Sequence, residues 1–464
     1  EQNKLKASLL YDFIDNSDFY TNPIHTSCRS IMNVPFVLEN SMLEEKFISE
    51  ASDNGFLNLK GHRLVGGMRA SIYNAMPLEG VKELIKFMDY FKSENGWFMA
   101  KDDLKNLRGK IDKIDQQLYT LIQKRASHAV AIGKIKSKVT PSVSFYKPAR
   151  ETKILRNIIK ANEKGLLPDA KIRTIFKELI SGCLSLEEIL KVAYLGPEGT
   201  HSEAAVHNQF GSQAIRIPSS TIDDVFYQVM QDEVNIGVVP VENSSEGVIN
   251  TTLNCLADSE DINIIGEIYL DIEHQLAAGN KFNIDEAFAI ASHPQALGQC
   301  SKWIERNIGN IKRLEMPSSA VAAKYAKENK NILCIVNSMA IKNYKLKLVK
   351  KNIQDYSENK TRFLVIGKNE VGKTGKDKSS FLIQTPNKPG SLMSVLKPFE
   401  KRKINLSKIE TRPSRGNINS HDFFIDCEGH IRDKKLDLAI KDIINAGAIV
   451  RNLGSYPEYI WILM

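Results

Sequence analysis

Apolar residues between positions 101 and 190 recur at alternating spacings of three and four, as on one face of a helix. The stripe consists of Leu104, Leu107, Ile111, Ile114, Leu118, Leu121, Arg125, His128, Ile132 and Ile135. This pattern predicts a long helix with a coiled-coil-like seam. The turn at Gly165–Pro168 predicts a last helix from Asp169 to about Leu190.

Arg125 interrupts the apolar seam with a guanidinium, which is costly to bury unless a carboxylate pairs with it. A bound anionic ligand would provide that carboxylate. Lys136 follows 11 positions later, so it points within about 20° of the same direction, roughly 16 Å along the helix axis. The alternative is that the polar seam residues only set the register of helix pairing.

After residue 190 the pattern changes to short apolar runs that alternate with amphipathic stretches, which predicts an α/β domain. The predicted strands are 192–195, 236–241, 264–270, 287–291, 332–336 and 363–367. The predicted helices are 202–209, 221–231, 248–256, 295–308 and 318–328. A linker rich in lysine and glycine, Gly367–Lys378, ends this segment.

The last 86 residues predict the order strand, helix, strand, strand, helix, strand. The predicted elements are 379–384, 391–401, 404–411, 420–427, 433–446 and 449–456. This order is typical of a ferredoxin-like α+β domain.

The composition narrows the classes of function. The net charge is +8, but the densest lysine stretch, 342–351, lacks interleaved aromatic residues, so a solvated surface is favoured over nucleic-acid binding. No apolar run approaches 18 residues, which argues against a membrane span. The six cysteines are scattered without a C-x-x-C pair, which predicts reduced thiols, a cytoplasmic location and no metal site.

Two turns rich in small polar residues each lie between a predicted strand and a predicted helix. One follows Ile236–Val241 and contains Asn243 and Ser244, and the other, within Val192–Ser202, contains Thr200 and Ser202. Free backbone N–H groups at a helix N-terminus favour a carboxylate or phosphate. An ordinary helix cap is the alternative for each turn alone, but two such turns suit a ligand with two carboxylates.

Four features together resemble prephenate dehydratase over residues 191–368. They are the two turns, the stretch Ser292–Leu297 and the motif Thr361-Arg362-Phe363. The resemblance implies a two-lobed α/β domain with a cleft. It also implies that the Thr361 hydroxyl helps expel water from prephenate, that Arg362 and Phe363 orient Thr361, and that no cofactor takes part. The carboxylates would be held by Thr200, Ser202, Asn243 and Ser244. His201 stands where relatives usually have phenylalanine, and a packing substitution is the favoured interpretation.

Residues 98–190 resemble the all-α helical chorismate mutases through Leu107–Asp112, Lys124-Arg125, Gly133–Lys136 and Phe145–Glu151. The site residues implied are Arg108, Arg125, Lys136, Lys147, Arg150, Glu151, Cys183 and Glu187. Arg108 and Arg125 would bind carboxylates, Lys136 would donate to the ether oxygen, and Glu151 would accept from the ring hydroxyl. Glu187 stands where some relatives have Gln, and it must be protonated to donate a hydrogen bond to the ether oxygen. Lys147 and Cys183 stand where some relatives have polar or acidic residues.

Arg108 lies about 260° around the helix from Arg125, so one straight helix cannot direct both at one ligand. In the resembled family the first arginine enters the site of the partner chain. The resemblance therefore implies a homodimer or a higher homo-oligomer.

Residues 379–464 resemble the ACT regulatory domain of prephenate dehydratases at two motifs. The implied contacts to L-phenylalanine are Pro389, Gly390, Ser391, Leu392, Glu410, Thr411, Arg412 and Pro413. A structural ACT domain without a ligand is the alternative.

Residues 1–97 resemble the C-terminal, α+β end of phosphoserine aminotransferase, with an amphipathic helix from Leu78 to Phe91. In that family His62, Arg63 and Arg69 would bind phosphate and carboxylate. The large domain that carries the lysine for pyridoxal phosphate is not represented, so neither aminotransferase activity nor binding of that cofactor is expected.

The chain is therefore predicted to be a multidomain enzyme that converts chorismate to prephenate and then to phenylpyruvate, with feedback by L-phenylalanine. Two rival hypotheses are a non-catalytic amino-acid sensor and a fusion with a working aminotransferase.

Overall fold

The structure is a computed structural model that describes residues 1–61, 66–139, 146–282, 286–356, 358–414 and 420–460. The chain divides into two compact units, residues 1–121 and residues 122–464. Helix α3, Leu78–Val139, contributes residues to both units. It contains no proline, so nothing interrupts the helical hydrogen bonds at the predicted domain boundary near residue 97. The helix predicted at 78–91 is therefore part of a much longer one.

The first unit is an α+β arrangement around an antiparallel sheet in the order β1-β2-β3. Its elements are α1 (Gln2–Asp15), β1 (Tyr20–Thr21), β2 (Asn33–Leu38), α2 (Glu44–Asp53), β3 (Met68–Ser71) and the first part of α3. Aromatic rings fill the core, and the buried Tyr20 hydroxyl donates to the Met88 carbonyl at 2.7 Å. Arg69 lies on β3, whereas His62 and Arg63 lie outside the described residues.

The predicted helical segment is confirmed, with α4 at Pro148–Ala161 and α5 at Asp169–Leu184 following α3. The last helix ends at Leu184, before the predicted end near Leu190, so Glu187 lies beyond it. Pro148 occupies the first turn of α4, where its missing N–H costs no helical hydrogen bond. The six apolar seam residues from Leu104 to Leu121 are each 50% or more exposed. The seam predicted from the sequence is therefore an open apolar stripe along this part of α3.

Two α/β lobes follow, as predicted. The first lobe has the sheet order β5-β4-β6-β14-β8, with β7 paired to β6, and the second has the order β11-β10-β12-β9-β13. The strands of the first lobe are β4 (Lys191–Leu195), β5 (Ile215–Ser219), β6 (Ile236–Asn243), β7 (Gly247–Val248), β8 (Asn263–Asp271) and β14 (Lys360–Gly367). Those of the second lobe are β9 (Gln275–Ala278), β10 (Ala289–Ser292), β11 (Lys312–Glu315), β12 (Ile332–Val336) and β13 (Lys347–Lys350).

Helices cover both sheets. They are α6 (His201–Phe210), α7 (Ile222–Met230), α8 (Asn250–Asp258), α9 (Pro294–Gln299), α10 (Ser301–Asn307), α11 (Ser319–Glu328) and α12 (Ser338–Tyr344). The single helix predicted at 295–308 is two helices that meet at Cys300. Strands β5, β11 and β13 were not predicted, because these edge strands are short and largely exposed and so lack an apolar run.

The C-terminal segment has the predicted ferredoxin-like order, with an antiparallel sheet β16-β17-β15-β18. Its elements are β15 (Asp377–Pro386), α13 (Ser391–Lys401), β16 (Leu406–Pro413), β17 (Ser420–Glu428), α14 (Lys434–Asn445) and β18 (Ile449–Pro457). The bounds of α13 are those predicted from the sequence.

This C-terminal sheet packs directly on the first lobe. Leu364 and Ile366 of β14 share one hydrophobic core with Leu382, Leu453 and Tyr456 of the C-terminal sheet. Gly454 makes the close approach possible, since a Cβ there would lie 2.2 Å from the backbone oxygen of Ile264. Strand β14 is therefore buried on both of its faces.

Candidate active sites

A cavity of about 320 Å³ lies between α3, α4 and α5. Seven of the predicted mutase residues line it, namely Arg125, Lys136, Lys147, Arg150, Glu151, Cys183 and Glu187. The predicted residue Arg108 lies on the exposed surface of α3. Four cationic side chains in a single cavity favour a ligand with more than one negative charge.

Lys136 and Glu187 face each other across this cavity. The Lys136 ammonium donates to the Glu187 carboxylate at 2.9 Å, and both side chains are largely buried. The two segments come together at Gly133, where a Cβ would lie 3.2 Å from the Glu187 Cα. A ligand oxygen placed between the ammonium and the carboxyl group would therefore contact both.

Glu151 lies on the first turn of α4, where burial and two cations act on its carboxyl group in opposite directions. Burial raises the pKa of its carboxyl group, while Lys177 and Arg173 oppose that increase. Burial lowers the pKa of Lys177 to about 7, and its ammonium donates to the Asn208 carbonyl at 2.8 Å and to Gln209 at 2.9 Å. Lys177 and Arg173 thus offset the effect of burial only in part, and the pKa of Glu151 stays above its ordinary value.

Two further cavity residues, His128 and Tyr146, were not predicted as site residues. His128 carried a signal, because it replaces an apolar residue on the seam three positions after Arg125. Tyr146 is buried against Phe210, with ring centroids 5.3 Å apart. The cavity therefore borders the first α/β lobe.

The second group of polar residues centres on Asn243 and Thr361. These residues are direct partners across the antiparallel strands β6 and β14. The Asn243 side-chain amide donates to the Thr361 hydroxyl at 2.8 Å, and both side chains are buried. The structure thus brings together two predicted site residues that are 118 positions apart.

This pair continues into a network that reaches the second lobe. Asn243 also donates to Asn359 at 3.1 Å, and Asn359 donates to Gln299 at 3.1 Å. Gln299 belongs to α9 and lies 2.7 Å from the ring nitrogen of His274. Asn359, Gln299 and His274 were missed in the sequence, because single amides and a lone histidine carry no local pattern.

The turn after Asn243 differs from the predicted helix cap. Strand β6 extends through Asn243, and α8 begins only at Asn250, with Ile249 before it. Ser244 instead bonds to the β14 side, donating to Asn359 at 3.2 Å and accepting from the Lys360 N–H at 2.9 Å. Asn243 and Ser244 therefore belong to the end of a sheet, so both the helix-cap interpretation and the prediction of a helix N-terminus at this turn are wrong.

Of the two turns predicted to cap a helix, the turn before α6 does so. The Thr200 hydroxyl accepts from the Glu203 N–H and donates to the Leu195 carbonyl at 3.2 Å, and Ser202 is buried in the same turn. Burial and the neighbouring His274 lower the pKa of His201 to about 3. The imidazole is therefore neutral at pH 7, which supports the packing interpretation.

Arg362 and Phe363 follow Thr361 on β14, and their side chains have partners of their own. Side chains alternate along β14, so the Arg362 guanidinium faces the C-terminal sheet, where it bonds to Asp426 at 2.6 Å. Phe363 is buried in the hydrophobic core with Val365. The Arg362 side chain therefore forms an ion pair and Phe363 packs in the core, and the role of both residues in orienting Thr361 stays a prediction.

The predicted phenylalanine motifs lie at the start of α13 and along β16. Gly390 precedes α13 with φ +86°, a conformation that favours glycine, and the space where a Cβ would lie is open. Ser391 and Leu392 begin the helix, and Pro389 precedes the glycine. Glu410, Thr411, Arg412 and Pro413 end the edge strand β16, and Arg412 donates to Asn254 at 3.4 Å.

The described residues contain no group of three or more side chains suited to hold a metal ion. No helix in the described ranges is both long and apolar enough to cross a membrane.

Comparison with known proteins identifies two families in this chain. The prephenate dehydratase family model matches residues 192–371, and the chorismate mutase type II model matches residues 107–188. A bifunctional chorismate mutase/prephenate dehydratase from Stutzerimonas stutzeri is 42% identical over 360 residues, which cover 77% of this chain and 98% of the relative. The enzyme of that name from Aquifex aeolicus is 40% identical over 361 residues, with the same coverage.

A solved structure is also similar. The prephenate dehydratase from Arthrobacter aurescens in complex with L-Phe superposes with a TM-score of 0.54 at 29% identity. The match covers 58% of this chain and 90% of that one.

Proposed function

The chain belongs to the family of bifunctional chorismate mutase/prephenate dehydratases, and on that basis we propose which residues perform each of its two reactions. The enzyme rearranges chorismate to prephenate, then dehydrates and decarboxylates prephenate to phenylpyruvate in the biosynthesis of phenylalanine. The observation that carries the assignment is the grouping of seven predicted side chains around one cavity. Incubating the purified protein with chorismate and measuring prephenate and phenylpyruvate tests it directly.

The mutase reaction is a unimolecular rearrangement, so the cavity needs only to hold a compact conformer and stabilise developing charge. Arg125 binds a substrate carboxylate, and Lys136 donates to the ether oxygen as its bond to carbon breaks. Glu187 holds the Lys136 ammonium in place when ionised, and donates to the same oxygen when protonated. Glu151 accepts a hydrogen bond from the ring hydroxyl, with Lys177 and Arg173 favouring its carboxylate form.

We propose that the mutase works as a homodimer or a larger homo-oligomer. The exposed stripe from Leu104 to Leu121 is suited to pair with the same stripe of a second copy. Such pairing would let Arg108 reach the cavity of the partner. This would explain how Arg108 can bind a ligand although it points away from Arg125 of its own chain. The oligomeric state in solution tests this part of the proposal.

In the dehydratase reaction Thr361 donates its hydroxyl proton to the departing hydroxyl group of prephenate and regains a proton from solvent, so the reaction consumes one proton for each water released. The carbon–oxygen bond breaks as carbon dioxide leaves, water is released, and the ring becomes aromatic. Because the Thr361 oxygen accepts from Asn243, its own O–H is polarised and becomes a better donor. We propose that Ser244, which donates to Asn359 at 3.2 Å, holds the substrate carboxylates together with Asn243 and with Thr200 and Ser202 of the turn before α6.

We propose that residues 379–464 form an ACT domain that binds L-phenylalanine at the start of α13 and the end of β16. Open space at Gly390 and free N–H groups at the helix start favour a carboxylate. Glu410 is the candidate for the ligand's ammonium. The similar prephenate dehydratase solved with L-Phe supports this ligand.

Residues 1–97 are proposed to contribute neither transaminase chemistry nor a pyridoxal phosphate site of their own. Transamination needs a lysine and a cofactor pocket that the resembled family carries in its large domain. The six cysteines are all unpaired thiols, which supports a cytoplasmic enzyme.

A further inference from the structure

A further cavity, of about 330 Å³, lies between helix α5 and the first dehydratase lobe. Its walls come from α5, from α6, from β8 and from the residues that follow β18. Its described lining contains no residue proposed above to contact chorismate, prephenate or phenylalanine. The volume is in the range of sites for small ligands, so the cavity is a candidate for a ligand that neither reaction uses.

Two cations of α5, Arg173 and Lys177, line this cavity. They are four positions apart, so they lie on the same side of the helix. Lys177 is more than nine-tenths buried, and its ammonium donates to the Asn208 carbonyl at 2.8 Å and to the Gln209 side chain at 2.9 Å. The hydrogen bonds of this buried ammonium therefore go to neutral groups.

The Arg173 guanidinium has weaker partners. It donates to the Tyr459 hydroxyl and to the Ile460 carbonyl, and both distances are 3.4 Å. Its Nε is buried, and among the described residues it has no hydrogen-bond partner. A buried guanidinium is costly unless an anion pairs with it, so a bound carboxylate would stabilise this arrangement.

The acidic side chains in the wall are already engaged. The Glu178 carboxylate accepts from the Ser212 hydroxyl at 2.7 Å and from the Ser212 N–H at 3.2 Å. Asp271 forms an ion pair with Lys360 at 3.4 Å. Positive charge from Arg173 and Lys177 therefore remains for a ligand, and the cavity favours an anion.

Aromatic rings lie next to these cations. The rings of Tyr269 and Tyr459 have centroids 5.3 Å apart, and the Arg173 guanidinium lies 5.1 Å from the centroid of the Tyr459 ring. Ile268 adds an apolar side chain to the same wall. Rings beside a guanidinium and an ammonium suit a ligand that carries both an aromatic ring and a carboxylate.

The charges also select among aromatic carboxylates. An aromatic amino acid would bring its ammonium group close to Arg173 and Lys177, and like charges repel each other. A 2-oxo acid has a carbonyl oxygen at that position, which can accept a hydrogen bond from either cation. The cavity therefore favours an aromatic 2-oxo acid over an aromatic amino acid.

We propose that this cavity is a binding site for an aromatic 2-oxo acid. The carboxylate binds Arg173 and Lys177, and the ring packs against Tyr269 and Tyr459. Phenylpyruvate, the product of the dehydratase reaction, belongs to this class, so the choice of ligand rests on the function proposed above.

A ligand in this cavity would slow the mutase reaction. Lys177 and Arg173 oppose the increase in the pKa of Glu151 that burial causes. A carboxylate bound to the same two cations cancels part of their effect, so less of Glu151 is in the form that accepts from the ring hydroxyl. Phenylpyruvate would thus lower the kcat of the first reaction from outside the mutase cavity.

Calorimetry on the full-length protein tests the site without reference to activity. The probes are phenylpyruvate, pyruvate and L-phenylalanine. Phenylpyruvate should bind, and pyruvate should bind about tenfold more weakly or less, because it lacks the ring. L-phenylalanine should bind the wild type and Arg173→Gln equally well. Equal affinities for pyruvate and phenylpyruvate would contradict the role of the two tyrosine rings and overturn the proposal.

Two substitutions test the cavity in different ways. Arg173→Gln removes one cation, and Thr174→Trp fills the cavity from an exposed position in its wall. Each should weaken phenylpyruvate binding by about tenfold or more. Arg156→Gln is the matched control, because Arg156 of α4 also bonds to the residues after β18, donating to the Glu458 carbonyl at 2.9 Å, but does not line the cavity.

Wild-type affinity in either cavity variant, or an equal loss in Arg156→Gln, would overturn the proposal. Phenylpyruvate that binds only in the dehydratase cleft would bind every variant alike, so the same comparison distinguishes the two locations.

The mutase rate gives a second readout, measured as chorismate loss by chromatography because phenylpyruvate itself absorbs light. Saturating phenylpyruvate should lower the kcat for chorismate severalfold with little change in KM, both in the wild type and in Arg156→Gln. Relative to its own uninhibited rate, Arg173→Gln should escape this inhibition, as should Thr174→Trp. An increase in KM alone would place phenylpyruvate in the mutase cavity and overturn the proposal. A protein that consumes no chorismate would overturn the proposed function, whereas calorimetry would still decide whether the cavity binds the ligand.

Discussion

The guanidinium of Arg362 and the carboxylate of Asp426 lie 2.6 Å apart, although they belong to strands of two different sheets. Arg362 is the residue after Thr361, so a contact of the C-terminal domain lies one residue from the proposed catalytic hydroxyl. Any ligand that shifts the C-terminal sheet therefore has a short physical route to the dehydratase site.

Replacing Thr361 should separate the two activities. Thr361→Ala should lower the dehydratase rate by about 100-fold or more, the contribution typical of a positioned proton donor. Chorismate should still be consumed, so prephenate should accumulate. Thr385→Ala is a control, because Thr385 is similarly buried but lies in the C-terminal sheet. Phenylpyruvate formation at the wild-type rate would remove the Thr361 hydroxyl from the mechanism.

Replacing Lys136 should abolish most mutase activity and leave the dehydratase intact. Lys136→Met removes the donor to the ether oxygen, and loss of one such donor costs about 100-fold or more in kcat. Glu187→Gln keeps a hydrogen-bonding group at 2.9 Å from Lys136 and should retain far more activity. Chorismate loss measured optically gives the mutase rate, and supplied prephenate gives the dehydratase rate. Similar rates for Lys136→Met and the wild type would contradict the assignment.

The ion pair between Arg362 and Asp426 should make stability depend on acid. Burial tends to raise the pKa of Asp426, but Arg362 and the Ser380 hydroxyl outweigh it and lower that pKa from the ordinary 3.8. A carboxylate with a lowered pKa stabilises the fold above its ordinary pKa, and this contribution disappears as the pH falls through the folded value. The wild type should therefore lose stability below about pH 3.8.

Asp426→Asn tests the source of this dependence. The variant should be less stable at pH 7 by about 3 kcal/mol, because Arg362 loses its charged partner. It should also lose less stability on acidification than the wild type does. Urea unfolding at pH 7 and below pH 3.8 measures both, with Asp442→Asn as a control outside this ion pair. Parallel losses in wild type and Asp426→Asn would assign the acid dependence to other carboxyl groups.

Phenylalanine inhibition should depend on Gly390. At φ +86° a valine is strained, so Gly390→Val should disrupt the start of α13 and abolish inhibition while sparing both activities. Gly447→Val is a matched control, because Gly447 has φ +91° and open space in the same domain. Phenylalanine should still inhibit the Gly447→Val variant.

Calorimetry gives an independent measure of the same coupling. Saturating prephenate should weaken phenylalanine binding, since coupling between sites is reciprocal and typically about 1–3 kcal/mol. The absence of phenylalanine binding to the full-length enzyme would show that the C-terminal domain is structural here.

Removing the first segment should spare the chemistry. A variant that begins at Met99 should keep both activities, because every residue of the mutase cavity and of the Asn243–Thr361 network lies after it. The full chain supplied with pyridoxal phosphate should not develop the absorbance of an aldimine. Loss of both activities on truncation would show that the first 98 residues support the folded enzyme.

Local patterns were sufficient for most elements, and the resemblance to chorismate mutases supplied most of the residues that line the cavity. The helical stripe predicted α3, and the α13 bounds at 391–401 were predicted correctly. Helical periodicity states which side chains share a face, so Arg125 and Lys136 could be placed in one cavity before the fold was known. Strands such as β5 and β13 could not be found, because a short exposed edge strand leaves no apolar run to detect.

Spacing and residue type in the sequence were enough to determine which face of α3 carries Arg125 and Lys136 and the order of most strands and helices, and the resemblance to known families indicated the two reactions. Only the tertiary structure decided that Arg362 faces Asp426 and that Glu242 faces Lys408. Strand alternation assigns Thr361 and Arg362 to opposite faces, but it does not say what covers each face. The packing of the C-terminal sheet on β14 supplies that information, since the contacts join residues 64 and 166 positions apart.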